Sequence, residues 1–180
     1  MTIKKSALAL ALLATTTLAS AQSWRLFPLF TDPNHKLEPT LALTAGSVSP
    51  DGGSDASTVG LELSFNCGLI QSPDNRIRSY LKMERADKNG VESTQFELSP
   101  RYTVPLGGNV VIGAGPSLTA VKLSAPGLSK TVYGGGVAAG LDWRMGRLYA
   151  GVDLRWHDTS AKDGAQFDNT AVAVKVGFNF

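Results

Sequence analysis

The chain has one cysteine, Cys67, among its 180 residues. A lone cysteine forms no intrachain disulfide, so the fold must be held by other means. The sequence also lacks any uncharged apolar run of the roughly 20 residues that a transmembrane helix requires. If the chain resides in a membrane, it must do so as a closed barrel, the only other structure that satisfies every backbone group in lipid. Charge is scarce too, at 18% of residues, with a formal net charge of only +2. Lys4 and Lys5 account for that excess, and the rest of the chain is neutral. A neutral chain gives no reason to expect nucleic acid as a partner.

What is present begins with a processing segment. Lys4 and Lys5 form a basic start, Ser6 to Ala14 is a short apolar run, and Ala19-Ser20-Ala21 is an A-x-A cleavage site. Together they mark residues 1–21 as a signal peptide, with Gln22 as the first mature residue. No cysteine follows the cleavage site, which argues against lipoprotein processing. Residues 22–36 form an N-terminal periplasmic leader containing Trp24, Leu26, Phe27, Leu29 and Phe30, open to reading as a tail, an interfacial helix or a plug. Residues 37–180 are expected to form the barrel.

From Pro39 onward apolar and polar residues alternate with period two, the signature of half-buried strands. Eight runs are read: Pro39–Val48, Ser57–Leu69, Arg76–Arg85, Ser93–Val104, Asn109–Val121, Thr131–Trp143, Leu148–His157 and Asn169–Phe180. In the second, Val59, Leu61, Leu63, Phe65, Cys67 and Leu69 share one face. Pro100 and Pro116 lie inside strands and remove ladder donors there, marking bulges or local strand ends. Ile70 to Asn75, Pro105 to Gly108 and Arg144 to Arg147 read as tight turns. The connections at the other end, Ser49–Ala56, Asp87–Gly90, Lys122–Lys130 and Asp158–Asp168, are mostly longer. Short turns at one end and longer loops at the other is the outer-membrane pattern.

Three features turn the apolar face outward. The polar face is rich in small residues such as Gly60, Gly113, Gly134, Gly136, Gly140 and Ala173, which a narrow barrel interior needs. Large aromatics of the apolar face, among them Tyr102, Tyr133, Trp143 and Trp156, sit towards strand ends, where membrane girdles lie. The middle of that face carries almost no charge. The fold class is therefore an all-β, eight-stranded antiparallel up-and-down transmembrane β-barrel. The inward charges then nearly balance: Glu62, Glu84, Glu97, Asp142 and Asp153 against Arg78, Lys82, Arg101, Arg144, Arg155 and Lys175. They are expected to form a salt-bridged network that plugs the interior.

At this point the chain resembles the small eight-stranded outer-membrane barrels, the superfamily of opacity-type surface proteins and the OmpA and OmpX domains. The shared features are the signal peptide, the strands from Pro39 onward and the closing strand Ala171-Val-Ala-Val-Lys-Val-Gly-Phe-Asn-Phe180. The resemblance implies residence in the bacterial outer membrane, contact with outer-membrane lipid, and recognition of the strand ending at Phe180 by the barrel assembly machinery. It implies no cofactor and leaves oligomeric state open. Relatives include structural proteins, adhesins, narrow channels and a few enzymes, so fold alone does not assign a role.

Few residues suggest chemistry. His157, in Arg155-Trp-His-Asp-Thr-Ser160, resembles the His-x-Ser pair of lipid A deacylases, where a base activates a hydroxyl. Here Thr159 occupies the serine position, Ser160 is one residue off, and parity turns His157 inward. Asp51-Gly-Gly-Ser-Asp55 lacks the spacing of a calcium loop, and Gly134-Gly-Gly136 precedes no helix and so is no phosphate loop. Cys67 falls on the lipid-facing parity and is read as packing, and His35 has no partner motif. No metal or cofactor site is expected. The favoured reading is a non-enzymatic outer-membrane protein with a structural or surface-interaction role. A narrow solute channel, a lipid-modifying enzyme of the deacylase kind and a soluble periplasmic barrel of the lipocalin kind remain as alternatives. N-terminal sequencing of the exported protein is expected to begin at Gln22; a start at Met1 in the membrane fraction would contradict the signal-peptide reading.

Overall fold

The computed structural model describes residues 23–88, 90–160 and 166–180. The segment expected to be the signal peptide, 1–21, lies outside the described residues. In chain order the elements are β1 (Arg25–Leu26), α1 (Pro28–Thr31), β2 (Thr40–Pro50), β3 (Ala56–Asn66), β4 (Ile70–Gln71), β5 (Ile77–Lys88), β6 (Val91–Gly107), β7 (Val110–Ala125), β8 (Leu128–Met145), β9 (Leu148–Thr159) and β10 (Asn169–Asn179). Eight strands, β2, β3 and β5 to β10, close into one antiparallel barrel in which each pairs with its neighbours in sequence and β10 returns to β2.

Alternation along each strand and register between strands together build two continuous surfaces. One row runs Leu43, Leu61, Met83, Phe96, Ala120, Tyr133 across six neighbouring strands, and its large side chains are exposed on the outside. The row one residue along runs Ala42, Glu62, Lys82, Glu97, Thr119, Gly134, and its side chains from Ala42 to Thr119 are buried inside. The outward face of β8 stays free of charge from Tyr133 to Trp143. Ten residue steps at about 3.3 Å each, tilted by about 40°, span about 25 Å along the axis, the height of an outer-membrane apolar band. Arg85 and Lys122 mark its upper edge on β5 and β7, and both are in register with Thr94 of β6.

At the short-turn end β6 pairs with β7 up to Gly107 and Val110, with a register shift between Pro105 and Gly107, and β8 pairs with β9 up to Met145 and Leu148. The opposite end departs from the sequence reading. The expected loops at 87–90 and 122–130 are instead paired almost to their tips, Lys88 with Val91 and Ala125 with Leu128. Gly90 and Gly127, with φ of 75° and 76°, supply the left-handed residue each tight reversal needs. The strands thus continue past the apolar band as hairpins rather than dissolving into loops.

Cys67 and residues 70–75 also require correction. β3 ends at Asn66, so Cys67 leaves the strand alternation and is buried, its amide bonded to the Ile77 carbonyl at 2.9 Å. Residues 70–71 are not part of a tight turn but a short strand that pairs with β1 of the leader, Arg25 with Gln71 and Leu26 with Ile70.

The two prolines share one place in the wall. Leu98 faces Leu118 and Tyr102 faces Ala114, so Pro100 and Pro116 stand directly opposite each other, and the β6–β7 pairing is interrupted between those flanking pairs. Facing prolines concentrate two missing donors in one gap instead of weakening two separate seams. The hydroxyl of Ser99 donates to the Pro116 carbonyl at 3.1 Å and satisfies one of the acceptors left over.

The small inward residues have a steric cause. A Cβ at Gly136 would collide with the Trp156 carbonyl and lie 2.9 Å from the His157 Cα, whereas one at outward Gly135 meets nothing nearer than 3.6 Å. Strong curvature brings backbones together on the inside and spreads them on the outside. Gly136→Ala is therefore expected to destabilise the barrel by about 1–3 kcal/mol through overpacking. Gly135→Ala should be neutral or stabilising by up to about 1 kcal/mol. Urea unfolding in detergent micelles distinguishes them, and equal effects would contradict the curvature argument.

Candidate functional site

The chemistry-bearing residues of the barrel lie in its interior, in tiers. Nearest the short turns is Arg78. Its guanidinium donates to the Glu38 carbonyl at 2.7 Å, to the Thr40 hydroxyl at 2.9 Å and to Asn66 Oδ1 at 3.1 Å. It therefore ties β2, β3 and β5 together without a carboxylate, although the sequence placed it among the ion pairs. Arg144 joins the ion pairs only at the rim: a quarter exposed, it stands 3.6 Å from Asp142, with its guanidinium 5.5 Å from the Tyr149 ring.

The middle tier holds two linked hubs. Asp153 on β9 receives Lys82 of β5 at 2.5 Å, Arg101 of β6 at 2.7 Å and Lys175 of β10 at 3.0 Å. Lys175 in turn stands 2.9 Å from Asp142 and 3.1 Å from Glu62, so one ammonium is surrounded by three carboxylates. Tyr80 and Tyr149, on opposite sides of the lumen, donate to Asp142 at 2.6 and 2.7 Å, and the Arg101 guanidinium lies 4.2 Å over the Tyr80 ring. The upper tier joins Arg155 to Glu97 at 2.9 Å and to Glu84, which also accepts from Thr44 at 3.0 Å. None of these charged groups below the rim is more than 5% exposed.

Glycines make several of these contacts possible. Gly151 is the register neighbour of both Asp142 and Lys175. A Cβ there would lie 2.8 Å from the Asp142 carboxylate and 2.9 Å from Lys175 Cε. The ion pair thus forms across an intervening strand through the space that a side chain would fill. Gly140 plays the same part for Asp153 and Arg101, whose polar atoms occupy the position of its missing Cβ.

His157 follows this pattern rather than the His-x-Ser one. Ser117, Gly136 and His157 form one row across β7, β8 and β9, and the Ser117 hydroxyl meets His157 Nε2 at 2.8 Å over the glycine. Gln95 Nε2 lies 3.2 Å from Nδ1. With the Gln95 amide nitrogen as the donor, Nδ1 accepts and Nε2 carries the proton towards Ser117. An imidazole in that state does not withdraw a proton from the hydroxyl, and the whole ring is buried. Thr159 shares the inward face with His157, but its hydroxyl is bonded to Asp168 at 3.2 Å and to the Phe167 amide at 2.7 Å, and Ser160 is exposed with its amide bonded to the Tyr133 carbonyl at 2.8 Å. Sequence spacing could not expose Ser117 or Gln95 as partners, because the row is defined only by register across strands.

Above His157 apolar residues join buried Thr58 and Thr159 in the lumen. Val48, Ala56, Ala86 and Ala171 form a buried cluster beneath the partly buried Phe167, and Val121 faces Val132 in a neighbouring buried pair. Among the described residues, no group of three histidine, cysteine or acidic side chains is arranged to hold a metal ion.

No family model matches the sequence, and no curated protein matches it. Solved structures do. Neisserial surface protein A aligns at 14% identity over 79% of this chain and 95% of that one, with a TM-score of 0.56. Ail, the attachment invasion locus protein of Yersinia pestis, aligns at 12% over 81% of this chain and all of that one, with a TM-score of 0.48. OprG of Pseudomonas aeruginosa aligns at 11% over 81% and 94%, with a TM-score of 0.38. The chain has the fold of the small eight-stranded outer-membrane barrels.

Asp153→Asn removes one counter-charge shared by three buried cations. Loss of one partner in such a site typically costs about 3–5 kcal/mol, whereas Arg144→Gln at the exposed rim should cost under about 1 kcal/mol. Thermal melts of the unboiled band in detergent are expected to show that order; similar melts for both variants would contradict a network centred on Asp153.

Proposed function

We propose that this chain is a small outer-membrane protein of a Gram-negative envelope whose barrel serves as a closed anchor for surface-exposed β-hairpins, with a structural or surface-interaction role. One observation carries the reading: polarity is inverted relative to a water-soluble barrel. The apolar belt, edged by Tyr133 and Trp143, faces outward, while the charged groups are paired in the lumen. Lipid is the solvent that makes this arrangement stable, since water would solvate the charges and leave the belt unpartnered. A soluble lipocalin-like barrel would require the opposite orientation.

The interior also bears on the alternatives. Lys82, Arg101, Asp153 and Lys175 meet from four strands across the lumen, and an ion would have to break that hub to pass. The deacylase-like reading needs an accessible base, whereas His157 is buried with both ring nitrogens engaged, by Gln95 and by Ser117. The paired hairpins β5–β6 and β7–β8, with the connection 51–55, form the surface available to partners outside the cell. At the other end, β10 closes the barrel and leaves Phe180 exposed after its last paired residue, Asn179, where the assembly machinery would read it.

Fractionation is expected to find the mature protein in the outer membrane, migrating differently before and after boiling. Release as a soluble periplasmic species would overturn the proposal. In planar bilayers the wild-type protein should give no unitary conductance steps, and it should release no fatty acid from phospholipid or lipid A. Removal of Phe180 is expected to lower the amount assembled in the outer membrane several-fold while leaving refolding in detergent intact. Unchanged assembly would separate this chain from the signal its closing strand resembles.

A further inference from the structure

The leader is folded, and it is amphipathic. β1 pairs with β4, the Phe27 amide donates to the Leu69 carbonyl at 2.7 Å and the Leu29 amide to the Gly68 carbonyl at 3.3 Å. These bonds fix residues 25–31 against the β3–β5 connection at the short-turn end. One side of this unit is polar. Arg25 pairs with Asp32 at 2.5 Å and reaches Asn75, and these residues with His35 and Lys36 line a polar recess of about 490 Å³ against the barrel end. The other side is apolar and open: Trp24, Leu26, Phe27 and Phe30 are each more than half exposed, Phe30 at 80%.

Two observations indicate what covers that side. Along the chain the patch is flanked by the barrel's apolar belt on both sides. Exposed Leu69 and Ile70 follow lipid-facing Leu61 and Leu63 on the way out of β3, and exposed Leu37 precedes Leu41 on the way into β2. In addition, Phe27 holds a left-handed backbone, φ 52° and ψ 48°, which glycine adopts without strain and phenylalanine does not. Its ring is half exposed and does not pack into a core that would compensate for the strain. A strained residue kept for an outward-facing ring implies that the ring has a partner beyond the chain.

We infer that residues 24–30, with Leu69 and Ile70, form an interfacial foot that inserts into the periplasmic leaflet of the same bilayer that surrounds the barrel, with lipid as its partner. The inference rests on the reading of the barrel as membrane-spanning. Aromatic side chains on an amphipathic segment are suited to the boundary between acyl chains and headgroups. The polar recess then faces the periplasm, and the foot fixes the depth and tilt at which the barrel sits.

The chain's three tryptophans allow a direct test. Trp143→Phe with Trp156→Phe leaves Trp24 as the single reporter, and Trp24→Phe leaves the two on the barrel wall. Both proteins are refolded into phosphatidylcholine vesicles whose acyl chains are brominated at shallow or deep positions, and folding is verified by the boiling-dependent gel shift. Trp24 emission is expected to fall at least two-fold with shallow bromines and less with deep ones. Phe27→Asp with Phe30→Asp in the Trp24 reporter should abolish that quenching while the gel shift persists. If the wall tryptophans are quenched and Trp24 is not, the foot is wrong and the membrane-spanning barrel stands. If neither set is quenched, both readings fall. Trp24 protected only through cross-linkable pairs of the protein, with no bromine quenching, would replace lipid by a second copy and overturn the inference.

Discussion

An eight-stranded barrel has an interior about as wide as the side chains that line it, and here its middle holds a cluster of charged ones. Each buried charge must therefore find its partner within the lumen, at distances set by strands that cannot move apart without breaking the wall. Asp153 shows how the constraint is met. It gathers Lys82, Arg101 and Lys175 from three different strands, so the ion pairs cross the barrel instead of running along one strand. Such cross-links make the interior a determinant of register. Sliding one strand by a single residue would turn its charges to the lipid and its aliphatic residues inward.

The inward glycines belong to the same constraint. Gly136 and Gly151 each stand between two polar side chains on flanking strands, Gly140 stands beside Asp153 where Arg101 reaches across from β6, and all three leave the space in which those side chains meet. The Ser117–His157 hydrogen bond and the Asp142–Lys175 ion pair are two outcomes of one device. It explains why a histidine in a sequence context resembling a hydrolase motif is, in three dimensions, a satisfied part of the wall's lining. The hydroxyl it meets is fixed by strand register and not by proximity in sequence.

The exterior follows a simpler logic with two local exceptions. The aliphatic belt and its aromatic edges need only the right parity and length. The facing prolines, Pro100 and Pro116, interrupt the β6–β7 seam at one level, and the leader adds a second apolar surface below the belt at the short-turn end. Both features modify how the wall meets its surroundings without altering closure, because closure depends on register around the whole ring.

Period-two alternation determined, from sequence alone, the number of barrel strands, their approximate limits and the face each residue occupies. It did so because side-chain direction in a strand is a local property of the backbone. That was enough to place Glu62, Lys82, Glu84, Glu97, Arg101, Asp142, Asp153, Arg155 and Lys175 on one surface. Which of them meet was decided only by the tertiary structure. Partnership depends on register between strands and on the empty volume of glycines on intervening strands, and neither is written in any local stretch. For the same reason the sequence grouped Arg78 with the ion pairs, although it is bonded to carbonyls and neutral side chains, and did not show that Arg144 pairs with Asp142 only from the rim. Alternation likewise carried Cys67 one residue past the point where its strand ends, and it left the leader unplaced, because the pairing of β1 with β4 joins segments more than forty residues apart.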